Sequence, residues 1–236
     1  MPTVDLHPPL YFLVLHAFTH CCGESDLALR FPSALFATLI VPLLYAFGVR
    51  LRGPRTGMAA ALFGALSPFY LWYAQEARMY TMVTALGLAA VYSLWRALTE
   101  RKLRWGLAFA LISSAALATH YLYALLLVSQ VVLGLALWPR KRGFPSSEAP
   151  KMRKRGRVGL ALSAIILVIV AIALGRTAID LTRSPAAGRE YVPLRIMLFD
   201  FLNSSSLGLS VNPGEVWPIL LIFGALYLGG LISLWR

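Results

Sequence analysis

Charged residues divide this chain into long uncharged stretches, each close in length to the thickness of a lipid bilayer. A transmembrane helix needs roughly 20 mostly apolar residues, because each residue advances the helix by about 1.5 Å. The stretch Trp105–Pro139 is 35 residues long, and it is predicted to form two spans joined by a tight turn near Thr119–His120. The sequence therefore predicts an all-α protein, a polytopic transmembrane helical bundle of about seven spans. The uncharged stretches are Phe31–Val49, Thr56–Gln75, Met79–Trp95, Trp105–Pro139, Val158–Gly175 and Val216–Trp235.

Basic residues are concentrated in short loops between the predicted spans. The net charge is +12, a value that in a soluble chain would suggest nucleic-acid binding. Here 16 of the 22 Lys and Arg residues lie in three loops and at the C-terminus, all on one side if the spans alternate. Because basic loops mark the cytoplasmic face, the charge indicates topology and contact with membrane lipid, and we expect no nucleic-acid partner. These segments are Arg50–Arg55, Arg96–Arg104, Pro139–Arg157 and Arg236.

The segment before the first predicted span is apolar but short. Pro8–Cys22 has 15 residues, too few for an ordinary span, so it is predicted to be an interfacial helix on the outer face. Asp5 is the expected N-cap of this helix, with Pro8 or Pro9 in its first turn. The chain is thus one domain, residues 1–236, with the following segments. They are the outer segment 1–29, five spans in 30–138, the basic loop 139–157, a span at 158–175, the outer loop 176–215 and a span at 216–235.

This topology places the N-terminus outside, although the first residues contain no signal sequence. The simplest interpretation is that a preceding span is missing and that the sequence is a fragment.

Polar residues of three segments are predicted to gather at the outer face. Each has an ordinary structural explanation: Glu76 and Arg78 as an interfacial ion pair, His120 as a hydrogen-bonded structural histidine, and Asp5 as a helix cap. Their convergence on one face favours a functional site instead. The residues are Asp5 and His7, then Gln75, Glu76, Arg78 and Tyr80, then His120, Tyr121 and Tyr123.

Several spaced motifs carry a family resemblance. They occur in order: HPPLY at 7–11, LRFPSALF at 29–36, SPF at 67–69 and QEARMY at 75–80. Over about residues 4–123 the chain resembles bacterial membrane glycosyltransferases of the multispanning GT-C fold. This group is related to the dolichyl-phosphate-mannose protein mannosyltransferases.

The resemblance implies transfer of a sugar from a polyprenyl-phosphate donor to a lipid, glycan or protein acceptor. The site would face outward from the cytoplasmic membrane. It implies substrate-binding roles for His7, Arg78, Tyr80, His120 and Tyr121, because a departing lipid phosphate requires cationic or hydrogen-bonding partners. Asp5 and Glu76 are the candidate catalytic carboxylates.

The chain departs from the family pattern at its start. The family's acidic pair, usually Asp-Glu, lies upstream of the HPPLY motif, where this sequence has no counterpart. Asp5 matches a different acidic position, and Glu76 is expected to act as a base only if nothing upstream supplies one. Neither a cofactor nor a metal is expected, since the candidate ligands Asp5, His7, Glu76 and His120 are widely spaced. A transporter or flippase for a lipid-linked substrate and a non-catalytic remnant stay open as alternatives.

Overall fold

The computed structural model describes residues 8–100 and 102–136, together with scattered helical positions between 168 and 229. The described residues are helical, with short turns between the helices. The predicted basic loop 139–157, outer loop 176–215 and most of the two C-terminal spans lie outside the described residues. The helices are α1 Leu10–Cys22, α2 Asp26–Arg52, α3 Pro54–Ala65, α4 Pro68–Ala74, α5 Tyr80–Glu100, α6 Leu103–Thr119 and α7 Tyr123–Ala136.

Helix α1 confirms the predicted short helix but begins later than expected. Its N-cap is Pro9, so the prediction that Asp5 caps it was wrong. The amide of Leu13 donates to the carbonyl of Pro9 at 2.9 Å, and prolines are tolerated at such a start because the first turn needs no donor from them. The helix ends at Cys22, and its C-cap Gly23 has a φ of +82°, a conformation that glycine adopts without steric cost.

Helices α2 and α5 are long and apolar enough to cross a bilayer, and they are the two described helices that meet both conditions. Helix α2 extends beyond the predicted Phe31–Val49 at both ends. At its start, the Ser25 hydroxyl accepts a hydrogen bond from the amide of Ala28 at 3.3 Å, which satisfies an otherwise unpaired N–H of the first turn. The predicted count of about seven spans is therefore not reached within the described residues.

The sequence predicted one continuous span at Thr56–Gln75, and this prediction was wrong. This segment is divided into α3 and α4 at Leu66 and Ser67. The physical reason is Pro68, which has no N–H to donate and disfavours helical geometry in the residue before it. Ser67 is accordingly extended, with ψ 118°.

Helices α2 and α3 form a close antiparallel pair joined through Gly53. A Cβ atom added to Gly48 would lie 2.8 Å from the Cα of Gly57. One added to Gly57 would lie 2.5 Å from a methyl group of Val49 and 2.8 Å from the carbonyl oxygen of Tyr45. The two backbones approach this closely because neither glycine has a side chain, as is common where helices pack in membranes.

We therefore expect Gly57→Ala to destabilise the protein by about 1–3 kcal/mol, the usual cost of forcing atoms into a packed interface. Thermal unfolding of the detergent-solubilised protein measures this. Ala59→Val, at an exposed position of the same helix, is the control and should leave the melting temperature nearly unchanged. An unaltered melting temperature for Gly57→Ala would contradict the close α2–α3 packing.

Helix α5 continues past the predicted Trp95 because a cluster of side chains stabilises its last turn. Glu100 forms an ion pair with Arg96 one turn earlier. Its other carboxylate oxygen accepts a 3.0 Å hydrogen bond from the indole of Trp105, and the Arg96 guanidinium lies 3.9 Å from the centre of the Trp105 ring. These contacts join the end of α5 to the start of α6 and leave only a short loop between them.

The predicted turn near Thr119–His120 is confirmed. Helix α6 ends at Thr119 and α7 begins at Tyr123. Helices α5, α6 and α7 share an apolar core, and the buried hydroxyl of Tyr123 lies 3.3 Å from that of Ser113 and donates to the side-chain oxygen of Gln130 at 3.2 Å. The core residues are Ala90, Leu94, Leu98, Phe109, Ala116, Leu117 and Tyr123.

Ring contacts show which turns share an end of the bundle. Helices α2 and α5 run parallel: Ser33 near the start of α2 contacts Arg78 just before α5, and Phe47 near the end of α2 contacts Trp95 near the end of α5. The α2–α3 and α5–α6 turns, which carry the basic residues, therefore lie at one end. Tyr80 and His120 pack together with ring centres 6.3 Å apart, so the α4–α5 and α6–α7 turns lie at the other end.

Candidate active site

An open cleft of about 690 Å³ lies at the end of the bundle opposite the basic turns. It is formed where α2 begins and where the chain turns from α4 into α5. Two arginines and two carboxylates line it, along with aromatic side chains. Its lining residues are Asp26, Leu29, Arg30, Trp72, Tyr73, Gln75, Glu76, Ala77, Arg78 and Tyr80.

The carboxylate of Glu76 is held in the cleft by a neighbouring helix. Helix α4 ends at Ala74, and the following turn is closed by a 2.8 Å hydrogen bond from the amide of Arg78 to the carbonyl of Glu76. The indole N–H of Trp72 donates to Oε1 of Glu76 at 3.0 Å. This bond occupies one carboxylate oxygen of Glu76 and restricts the orientation of its side chain.

Three of the four motifs meet at Arg78. Its carbonyl oxygen accepts a 3.0 Å hydrogen bond from the Ser33 hydroxyl, and that hydroxyl lies 3.0 Å from the hydroxyl of Tyr11. Tyr11 belongs to the HPPLY motif, Ser33 to LRFPSALF and Arg78 to QEARMY. The sequence did not predict this meeting of Tyr11, Ser33 and Arg78, which the fold brings together.

Arg30 and Asp26 also line the cleft, although the sequence did not identify them as site residues. They lie one helical turn apart in the first turns of α2. Acidic residues at a helix start are ordinarily explained by the helix dipole, so Asp26 gave no functional signal. Arg30 lies within the LRFPSALF motif, but the resemblance implied no role for it. Among the described residues neither Arg30 nor Arg78 forms an ion pair, and both side chains are exposed.

Aromatic rings form one wall of the cleft and connect it to the α6–α7 turn. Tyr73 and Tyr80 pack with ring centres 4.7 Å apart, and Tyr80 in turn contacts His120. Nδ1 of His120 accepts a 3.1 Å hydrogen bond from the amide of Leu122, so the neutral imidazole carries its proton on Nε2. His120 therefore does not line the cleft but contacts Tyr80, which does.

Three other predicted site residues have different outcomes. Tyr121 lies in the same turn as His120 but does not line the cleft, and burial raises the pKa of its hydroxyl. Asp5 and His7 lie outside the described residues, so their assignments stay predictions. Within residues 8–100 and 102–136, no group of three or more His, Cys, Asp or Glu side chains is arranged to hold a metal ion.

Two bilayer-length helices and a charged cleft at one end of the bundle describe a membrane-associated helical protein with a polar site. Large apolar side chains of the described helices are exposed, such as Phe63 at 74% and Leu125 at 71%, as lipid contact requires. The sequence model of the dolichyl-phosphate-mannose-protein mannosyltransferase family matches residues 6–173. The chain belongs to this family.

The family match confirms the resemblance and extends it beyond the motifs that suggested it. The last motif ends at Tyr80 and the resemblance covered about residues 4–123, whereas the match continues to residue 173 and includes most of the predicted span Val158–Gly175. Membership indicates glycosyltransferase-type activity with a lipid-linked sugar donor. No curated protein and no solved structure gives a significant match to the chain.

Proposed function

We propose that the protein transfers a sugar from a polyprenyl-phosphate donor to an acceptor at the cleft between α2 and the α4–α5 turn. The observation that carries this proposal is the presence of two arginines and two carboxylates in one cleft. Cations suit the donor phosphate and carboxylates suit the acceptor hydroxyl, so both halves of the reaction have partners there. The family supplies the class of reaction.

Arg30 and Arg78 bind the donor phosphate in this proposal. They come from different elements, the second turn of α2 and the α4–α5 turn, so they can approach one phosphate from two sides. A guanidinium offers paired N–H groups that match phosphate oxygens. In the reaction the bond between the sugar's anomeric carbon and the phosphate oxygen breaks, and the polyprenyl phosphate leaves with the bonding electrons. Two cations stabilise the charge that develops on it.

The carboxylates act on the acceptor. The acceptor's hydroxyl oxygen forms the new bond to the anomeric carbon, and its proton passes to a carboxylate as that bond forms. Glu76, oriented by Trp72, is our candidate for this base, and Asp26 lies in the same cleft to orient the acceptor. Tyr80 contributes its hydroxyl and the Tyr73 ring packs beside it. An aromatic ring of this kind suits the apolar face of a sugar ring.

The cleft faces outward from the cytoplasmic membrane in this proposal, and the chain crosses that membrane several times. The supporting observation is charge. Arg50, Arg52 and Arg55 lie at the α2–α3 turn, and Arg96, Lys102 and Arg104 lie near the α5–α6 turn, all at the end opposite the cleft. Basic residues in short loops are retained on the cytoplasmic side. The cleft at the other end is then accessible to an acceptor outside the cell.

The full-length protein in lipid nanodiscs provides the test. It is mixed with radiolabelled polyprenyl-phosphate mannose or other polyprenyl-phosphate sugars and with lipid, glycan or protein acceptors. We expect the donor to bind and the label to move onto an acceptor. Absence of both donor binding and transfer would overturn the proposal. Movement of the donor across proteoliposome membranes without a covalent product would instead indicate a flippase.

A further inference from the structure

The two hydrogen bonds behind Arg78 have a defined direction. Ser33 has a single hydroxyl proton, and it donates that proton to the carbonyl oxygen of Arg78. The Ser33 oxygen must therefore accept in its contact with Tyr11, so the Tyr11 hydroxyl is the donor there. The two hydrogen bonds therefore run in one direction, from Tyr11 to Ser33 and from Ser33 to Arg78. Burial raises the pKa of the Tyr11 hydroxyl, which keeps the donating proton in place.

This pair of hydrogen bonds is buried and joins three separate parts of the sequence. Tyr11 is 1% exposed and Ser33 is fully buried. The Tyr11 ring packs against Met79, the residue that immediately follows Arg78, and against Met82 in the first turn of α5. Buried hydrogen bonds in sequence strengthen one another and are costly to leave incomplete. Tyr11 of α1 and Ser33 of α2 therefore hold the backbone of Arg78, while its side chain lines the cleft.

We propose that Tyr11 and Ser33 are positioning residues that set the Arg78 guanidinium for the donor phosphate. This inference rests on the proposed function, because it assumes that Arg78 binds the donor. Neither residue lines the cleft, so neither touches the donor directly. Tyr11 and Ser33 act on the backbone of Arg78, because Ser33 holds its carbonyl oxygen. A displacement of this backbone also displaces the Arg78 side chain. A shift of about 1 Å in such a group is enough to weaken a bidentate contact severely.

Donor binding by single and combined variants tests this inference. Tyr11→Phe keeps the packed ring and removes only the hydroxyl, so the donor Kd should rise by about 3- to 10-fold, the value of one neutral hydrogen bond. Ser33→Ala should raise the Kd at least as much, since it removes both bonds. The measurement uses a radiolabelled polyprenyl-phosphate sugar and the full-length protein in nanodiscs.

A double-mutant cycle separates positioning from general stabilisation. In an Arg78→Ala background, Tyr11→Phe should have no further effect on the donor Kd, because the group through which it acts is gone. Tyr123→Phe is the control: it removes the contacts of another buried tyrosine hydroxyl, to Ser113 and to Gln130, in the α6–α7 part of the bundle. It should lower the melting temperature without changing the donor Kd.

The results distinguish this inference from the proposed function. If the wild-type protein does not bind the donor, the proposed function itself fails. If the wild-type protein binds it but Tyr11→Phe binds equally well, only the positioning role is overturned. The same conclusion follows if Tyr11→Phe still weakens binding by 3-fold or more in the Arg78→Ala background.

Discussion

Replacing Arg78 by alanine is expected to weaken donor binding by about 10- to 100-fold, the value of a hydrogen bond to a charged group. Transfer should fall with it, while membrane insertion stays intact because the side chain is exposed. The double variant Arg30→Ala/Arg78→Ala should bind more weakly than either single variant. Equilibrium binding of a radiolabelled polyprenyl-phosphate sugar in nanodiscs measures all three.

A matched control for these variants lies at the opposite end of the bundle. Arg55→Ala also removes an exposed arginine, but from the α2–α3 turn far from the cleft. It should bind the donor as the wild-type protein does. If Arg78→Ala turns over donor normally, Arg78 does not bind the phosphate. If Arg55→Ala weakens donor binding as strongly as Arg78→Ala does, the loss of binding reflects net charge alone.

Glu76→Gln is expected to lower kcat by about 100-fold or more, in the range typical of a general base, with little change in donor Kd. Glutamine still offers an oxygen to the Trp72 indole, so the local structure is retained and only the ability to take up a proton is lost. Single-turnover transfer from pre-bound donor measures the chemical step. A kcat within about 3-fold of the wild-type value would remove Glu76 as the base, since a base contributes far more.

The chain contains a second glutamate with the same kind of contact. Glu100 also accepts a tryptophan N–H hydrogen bond, from Trp105, again at 3.0 Å. Glu100→Gln should reduce thermal stability, because it weakens the Arg96 ion pair, and leave kcat unchanged. Equal losses of kcat in both glutamine variants would show that the effect comes from helix packing and not from proton transfer.

Much of the fold was predictable from the spacing of charged and apolar residues. The long apolar runs Phe31–Val49 and Met79–Trp95 predicted helices α2 and α5 to within five residues at each end. The exact ends depended on contacts that spacing does not show. Helix α5 continues to Glu100 because Arg96 and Trp105 bind that carboxylate.

The break between α3 and α4 shows a different kind of error. The run Thr56–Gln75 has the length and composition of a span, and Pro68 lies within it. Proline is present in α2 as well, at Pro32 and Pro42, without dividing that helix. Ser67 is extended before Pro68, whereas Pro32 and Pro42 lie inside a continuous helix, and the presence of proline alone does not distinguish the two cases.

The motifs predicted part of the cleft lining, but Arg30 had no assigned role although it lies within LRFPSALF, and Asp26 lies outside every motif. Glu76, Arg78 and Tyr80 follow one another in the QEARMY motif, and all three line the cleft. Asp26 and Arg30 lie far from them in the sequence and reach the same cleft only because α2 and α5 run parallel. The link from Tyr11 through Ser33 to Arg78 likewise spans distant segments, so it required the fold.

Photo-cross-linking tests the central claim most directly, namely that the donor phosphate binds in this cleft. A polyprenyl-phosphate analogue with a photoreactive group beside the phosphate is irradiated with the protein in nanodiscs, and labelled peptides are identified by mass spectrometry. We predict labelling within residues 26–30 and 72–80, reduced in the Arg30→Ala/Arg78→Ala variant. Labelling concentrated at the α5–α6 turn, near Arg96 and Trp105, would contradict the account.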